Sequence, residues 1–308
     1  MIKDDCILIT GGHGLVGTTL YNYLIYQGFN NIIRIGRGDC DLLNRQATEV
    51  FFKKTKPKYV FHAAARVYGI MGNIKNKASS FYENLLINTH VIDAATAVGV
   101  KKIIAMGSGA VYPYPPPWLP LKEDSIFMGE PHPSEDSYAY AKRAMLAMLK
   151  AYQESYGLNW SYVVSCNLFG PFDKFDPDFG HVIPSLISKF YDSKINNQKV
   201  IVWGNGSSVR DFMYAKDLAR LLVLIAEKIN GVVNIGSGKN YSIKEIVDII
   251  SQISKMENSV TWDATKPNGQ EYRSYDLSII SGHHFQCEYS IFDGLKETWD
   301  WYCDYKKN

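Results

Sequence analysis

Nine residues near the start, ITGGHGLVG at 9–17, most restrict what this chain can fold into. An apolar run at 6–10 ends in Gly11, Gly12, His13 and Gly14, and residues 16–29 then have helical periodicity. Strand, tight turn and helix in that order open a parallel sheet. Further units follow. Strands are predicted at 31–35, 59–63 and 102–106, with helices at 47–54 and 81–98 between them. A long helix is predicted at 138–156 and a strand at 160–166, followed by a loop at 170–180 rich in Pro, Asp and Phe. Such repetition argues for a parallel sheet with helices on both faces and a ligand at the carboxyl ends of its strands.

Beyond residue 180 the alternation is less regular, with helices at 183–191, 215–229 and 243–255 and strands at 200–203 and 232–235. From about Ser259 the chain is rich in Tyr, Trp and His. The expected fold class is α/β: a Rossmann-type doubly wound parallel sheet with a smaller, substrate-binding C-terminal lobe. Residues 1–170, completed by parts of 200–240, form the dinucleotide-binding domain, and 171–308 mainly the interleaved lobe. The length of 308 residues is ample for both.

Composition excludes several classes of partner. With 33 basic and 31 acidic side chains the net charge is +2, too small a field to gather nucleic acid. Five cysteines without a CxxC pair read as free thiols of a reducing compartment. Asp4 and Asp5 precede only a few apolar residues, and no run of about 18 apolar residues follows to span a membrane. The expected location is cytoplasmic.

Gly11, Gly14 and Gly17 give GxxGxxG, one residue away from GxGxxG in spacing. Glycine is needed where backbone turns tightly and approaches a pyrophosphate, and the following helix offers unpaired amides to the anion. A bare turn into a helix would also use glycine, but the strand before and the helix behind favour a dinucleotide. His13, Leu15 and Val16 complete the expected cradle, with Ala64 beyond the third strand. After the second strand an acidic residue would hold a ribose hydroxyl, whereas arginine favours a 2′-phosphate. The segment IIRIGRGDCD places Arg34 and Arg37 there, ahead of Asp39 and Asp41. NADP(H) is favoured through Arg37, and NAD(H) stays open through Asp39.

SYAYAK at 137–142 puts Tyr138 and Lys142 four apart on one helical face. A cationic Lys142 is expected to stabilise the phenolate and lower the pKa of Tyr138, and to hold a cofactor ribose. Ser108, directly after a strand, would offer a hydroxyl to the same carbonyl oxygen. Tyr140 has Ala144 where a lysine would be needed, so Tyr138 is the better assignment.

In this order the motifs resemble the extended short-chain dehydrogenase/reductase family and, within it, the GDP-L-fucose synthases. The resemblance runs through HAAARVYGIMGN at 62–73, GSGAVYP at 107–113, SYAYAK at 137–142, NLFGPFDKFD at 167–176, GHVIPSLISKF at 180–190, VWGNGSSVRDF at 202–212 and TKPNGQEYRSYD at 265–276. It implies reduction of a C4 ketone on a nucleotide sugar, with nicotinamide delivering hydride. By the same resemblance Tyr138 is the proton donor, Lys142 its electrostatic partner and Ser108 the second hydrogen-bond donor. No metal is implied. A homodimer is implied through the helices at 81–98 and 138–156, although their apolar positions could equally serve the core.

The departures narrow the expectation. Family members epimerise C3 and C5 with a cysteine two residues beyond the serine, where this chain has Ala110. Alanine transfers no proton, so epimerase activity is doubtful. The partner histidine matches His181, which either binds the sugar, is structural or retains some proton exchange. Arg210 is the expected diphosphate contact, and Asn167, Trp203, Lys189 (for an arginine) and Arg273 (for a lysine) match substrate-facing positions. A surface ion pair is the alternative for Arg210 and Arg273. Three functions result: reduction of a GDP-linked 4-keto-deoxy sugar, possibly a heptose or as a bifunctional synthase; NAD-dependent oxidation of a C4 hydroxyl; or nucleotide-sugar binding without turnover.

Overall fold

A computed structural model describes residues 1–68, 70–178, 180–257, 259–266 and 270–307. Gly69 of the 62–73 motif, Phe179 of the 170–180 loop and residues 267–269 of the 265–276 motif lie outside them.

The first half alternates as the glycine turn requires: β1 (Ile7–Thr10), α1 (Leu15–Tyr26), β2 (Ile32–Ile35), α2 (Arg45–Thr55), β3 (Tyr59–His62), α3 (Ile70–Lys75), α4 (Lys77–Ala97), β4 (Lys102–Met106), α5 (Asp136–Tyr156) and β5 (Trp160–Ser165). The second half adds β6 (Asn167–Phe169), α6 (Val182–Ile195), β7 (Val200–Trp203), β8 (Val209–Tyr214), α7 (Ala215–Lys228), β9 (Gly231–Ile235), β10 (Asn240–Ser242), α8 (Ile243–Ser254), β11 (Val260–Asp263), α9 (Ser278–Gly282) and α10 (Ile291–Lys307).

Six parallel strands form the main sheet in the order β2-β1-β3-β4-β5-β9. Ile7, Leu8 and Ile9 of β1 and Val60 and Phe61 of β3 are almost fully buried, because helices cover both faces. The order reverses between β1 and β3, which opens a crevice at their carboxyl ends. Helices α4 and α5 pack side by side over one face, while α1 packs on α7.

A second hydrophobic core gathers Phe169, Ile187, Phe190, Val200, Phe212, Ile246, Leu295 and Trp299 from α6, β6–β8, α8 and α10. Small sheets frame it: β10-β8-β6, in which β8 runs antiparallel to β10, and the parallel pair β11-β7. Much of the segment rich in Tyr and Trp beyond Ser259 serves this core. Helix α10 buries Leu295, Trp299 and Tyr302 in this second core, and Tyr302 stacks on Phe175. Its aromatic residues recur at helical spacing, so they fill a core. No helix of the described residues is long and apolar enough to cross a membrane.

Candidate active site

A cavity of about 950 Å³ lies at the carboxyl ends of the main strands and extends to the second core. Its lining includes Gly11, His13, Gly14, Leu15, Val16, Arg37, Ala64, Ser108, Tyr138, Lys142, Asn167, His181, Lys189, Trp203, Arg210 and Arg273, whereas Gly17, Arg34, Asp39 and Asp41 lie outside it. Gly17 is buried in the first turn of α1.

The three motif glycines serve different purposes. Gly11 has φ +68°, and a Cβ there would lie 2.8 Å from the backbone of Ala63 and Ala64. A Cβ on Gly17 would run into the Gly11 carbonyl oxygen. At Gly14, by contrast, the nearest atom to an added Cβ would be that oxygen at 3.7 Å, so the space it leaves opens on the cavity. A bare amide face at a helix start suits a pyrophosphate, and these residues fit a dinucleotide.

At the end of β2, Asp39 accepts from the Gly36 amide at 2.8 Å and pairs with His13 Nε2 at 3.0 Å. The amide and His13 hold its carboxyl below the usual range. Arg34 lies over the Tyr21 ring at 4.4 Å, outside the cavity lining. Arg37 lines the cavity.

Tyr138 and Lys142 stand one turn apart on α5, and Ser108 follows β4. Ser108 Oγ accepts from the Ala110 amide at 3.2 Å, which fixes the oxygen and leaves its proton free to donate. Lys142 is buried and donates to the Met106 carbonyl oxygen at 2.8 Å, its Nζ 5.7 Å from the Tyr138 ring centre. The expectation that Lys142 lowers the Tyr138 phenol is not met. Burial pushes Tyr138 well above the usual tyrosine range, with the Glu135 carboxylate adding to it. Burial also pulls Lys142 down to about 7, because the ammonium has lost its water without gaining an acidic partner.

Behind this pair runs a relay that the sequence did not reveal. His62 is fully buried, its Nδ1 2.7 Å from Thr10 Oγ1 and its Nε2 3.0 Å from Asn88 Oδ1. Asn88 can only accept through that oxygen, so Nε2 carries the proton and Nδ1 accepts from Thr10. The ring is neutral, its pKa brought down to about 3 by burial and by Lys142. β1, β3 and α4 are thereby joined under the site.

Toward the second core, Arg210 donates to the carbonyl oxygens of Val209 at 2.7 Å and Gln270 at 2.6 Å. Burial and the neighbouring Arg273 bring its pKa down to about 10. Arg273 pairs with Glu135 Oε1 at 2.6 Å and with Gln270 Oε1 at 2.7 Å, and is 13% exposed, so it is no surface ion pair. Glu135 precedes α5 without capping it, its carboxylate being taken by Arg273. Lys189 Nζ sits 4.3 Å over the Trp203 ring. His181 immediately precedes α6 and faces Asp173, whose Oδ2 is buried without a partner. Burial raises the Asp173 carboxyl against the influence of His181. Asp173, Gln270 and Tyr275 lie within the 167–176 and 265–276 motifs without a role assigned to them there, and Glu135 lies outside every motif.

Residues 7–236 match the NAD dependent epimerase/dehydratase family. The chain belongs to that family. It is an NAD(P)(H)-dependent oxidoreductase. The chain is 36% identical over 303 residues to GDP-L-fucose synthase 1 of Arabidopsis thaliana, covering 97% of this chain and 94% of that protein. Among solved structures it resembles the GDP-mannoheptose C4 reductase of Campylobacter jejuni with NADP bound, at 31% identity and a TM-score of 0.89 over 98% of this chain and 99% of the other. It also resembles a GDP-6-OMe-4-keto-L-xylo-heptose reductase from C. jejuni, at 29% identity and a TM-score of 0.92 over 100% and 99%.

Proposed function

We propose that the protein is an NADPH-dependent reductase of the C4 ketone of a GDP-linked 4-keto-deoxy sugar, with little or no epimerisation at C3 and C5. The observation that carries this reading is one cavity shared by Ser108, Tyr138 and Lys142, the open face of Gly14 and the guanidinium of Arg210. A phenol held protonated suits the acid half of a ketone reduction better than the base half of an alcohol oxidation. The preference for NADPH rests on Arg37, since Asp39 is occupied by Gly36 and His13.

Bound NADPH supplies the hydride to C4. Tyr138 gives its proton to the C4 oxygen while the Ser108 hydroxyl donates to the same atom and holds the ketone in line. Lys142 offsets the negative charge left on Tyr138 and offers its remaining protons to the cofactor ribose. Arg210 faces the diphosphate, and Arg273, neutralised by Glu135, stands beside it. Residues 1–170 with parts of 200–240 carry the cofactor, and 171–308 mainly the sugar nucleotide. Helices α4 and α5, which expose Phe81, Tyr82 and Tyr140, form the face of a homodimer.

Ala110 is 2% exposed and outside the cavity lining. Cys166 does reach the cavity, but burial and the charge of Asp211 raise its thiol well above the usual range, so it offers no thiolate base. The test is incubation in D2O with NADPH and GDP-4-keto-6-deoxy-mannose, followed by proton NMR of the product. Reduction without deuterium at C3 or C5 is the expected result. Deuterium at either carbon with inverted configuration would restore a bifunctional epimerase/reductase, and no NADPH oxidation would refute the reductase.

A further inference from the structure

Tyr275 reaches the cavity from the C-terminal segment and ends against the loop that carries Ser108. Its ring is 8% exposed, and it packs 6.1 Å from the ring of Tyr112. A Cβ placed on Gly109 would overlap the Tyr275 hydroxyl and come within 3.1 Å of Arg273 Nη1. The phenol therefore occupies the room that a side chain at 109 would fill, one residue from Ser108. It does not sit there by chance of packing, because a chain of polar contacts holds it. Glu135 at the start of the Tyr138 helix pairs with Arg273 at 2.6 Å, and the Arg273 guanidinium faces the Tyr275 oxygen.

Burial sets the Tyr275 pKa at about 12 against the opposing charge of Arg273, so the group is a neutral phenol at pH 7. Its oxygen faces the Arg273 guanidinium, whose own hydrogen bonds go to Gln270 and Glu135, and its hydroxyl makes no hydrogen bond to an acceptor among the described residues. A buried donor that lines a cavity without an acceptor is a place where a ligand oxygen gains a hydrogen bond.

We propose that Tyr275 determines sugar specificity by donating to the oxygen on C3 of the substrate, next to the ketone that Ser108 and Tyr138 address. This rests on the reductase reading above. On a 4-keto-6-deoxy sugar the two carbons beside C4 differ: C3 bears an oxygen and C5 bears carbon and the ring oxygen. Of the two carbons beside the ketone only C3 carries an exocyclic oxygen, so a phenol beside the Ser108 loop has its direct hydrogen-bond partner there. Gly109 is the residue that makes this possible, since any side chain there displaces the phenol.

The experiment compares kcat/KM for GDP-4-keto-6-deoxy-mannose and for its 3-deoxy analogue in the NADPH-loaded wild type, Tyr275→Phe and Gly109→Ala, with calorimetric titration of GDP as a measure of the intact nucleotide site. The wild type is expected to prefer the 3-hydroxy substrate about tenfold, the worth of one hydrogen bond in a closed site. Tyr275→Phe and Gly109→Ala are expected to lose that preference while binding GDP as the wild type does. A preference retained in Tyr275→Phe, or absent from the wild type, would overturn the assignment. Loss of GDP binding in Tyr275→Phe would also overturn it, because the phenol would then serve only to hold Arg273. A wild type that reduces neither sugar would refute the reductase reading itself, and the role of Tyr275 with it.

Discussion

The ammonium of Lys142 donates to the carbonyl oxygen of Met106 across 2.8 Å, and that contact ties α5, which carries Tyr138, to the end of β4, which leads into Ser108. Two segments far apart in sequence thereby hold their reactive groups in fixed relation. Lys142 does this while buried without a carboxylate, which has a measurable consequence.

Its pKa is about 7 in the folded protein against an ordinary 10.5. Between those values the unfolded chain keeps a proton that the native state has released, so stability rises as pH rises through that window. Lys102, lowered to about 8 by burial, adds to the same trend. Urea unfolding of the cofactor-free protein at pH 7 and 9.5 is expected to show this gain in the wild type. The gain in Lys142→Met is expected to be smaller by up to about 3 kcal/mol. Equal gains in the two proteins would show that Lys142 is not depressed.

Tyr138→Phe removes the proton donor and little else. Turnover of the keto sugar is expected to fall about 10²- to 10⁴-fold, the usual contribution of a positioned acid. NADPH affinity, followed by its fluorescence, is expected to stay near the wild-type value. Retained turnover would move the acid elsewhere in the cavity.

The glycine turn separates folding from binding. Gly14→Ala meets nothing closer than 3.7 Å and is expected to fold normally with weakened NADPH binding, because the methyl projects toward the pyrophosphate. Gly17→Ala drives a methyl into the Gly11 carbonyl and is expected to lower the melting temperature even without cofactor. Thermal melts with and without NADPH distinguish the two, and identical behaviour would contradict the different environments of these glycines.

Arg37→Ala addresses cofactor choice. Loss of a charge-assisted contact to a 2′-phosphate is expected to raise the NADPH KM about tenfold or more while leaving that for NADH unchanged. Equal effects on both cofactors would place Arg37 away from the 2′-phosphate.

Asn88→Ala takes the acceptor from a buried imidazole N–H. The orphaned His62 donor is expected to cost about 1–3 kcal/mol of stability in urea unfolding. No loss would mean that the Thr10–His62–Asn88 relay does not hold β1, β3 and α4 together.

The first half of the fold was legible because its signals are local. Glycine at 11, 14 and 17, apolar runs of strand length and helical periodicity report on residues within one turn of each other, and helices α4, α5 and α7 appear within a few residues of their predicted bounds. The second half was less so. Strands β6, β10 and β11 are short or half-buried, and with β8 they take their pairing from distant partners. Helix α10 has no predicted counterpart, because its aromatic residues read as composition and not as a helical core stripe.

Within the site the same division holds. The sequence by itself determined which groups are present: a glycine cradle, a serine, a tyrosine and a lysine in register, an alanine where the family keeps a thiol, and arginines for anions. Only the tertiary structure decided their states. Burial reversed the expected direction for Tyr138, an ion pair bound Arg273 to Glu135, and His62 became a neutral strut. Desolvation and charge depend on what surrounds an atom in space, and neighbours such as Glu135 and Arg273 are 138 residues apart along the chain.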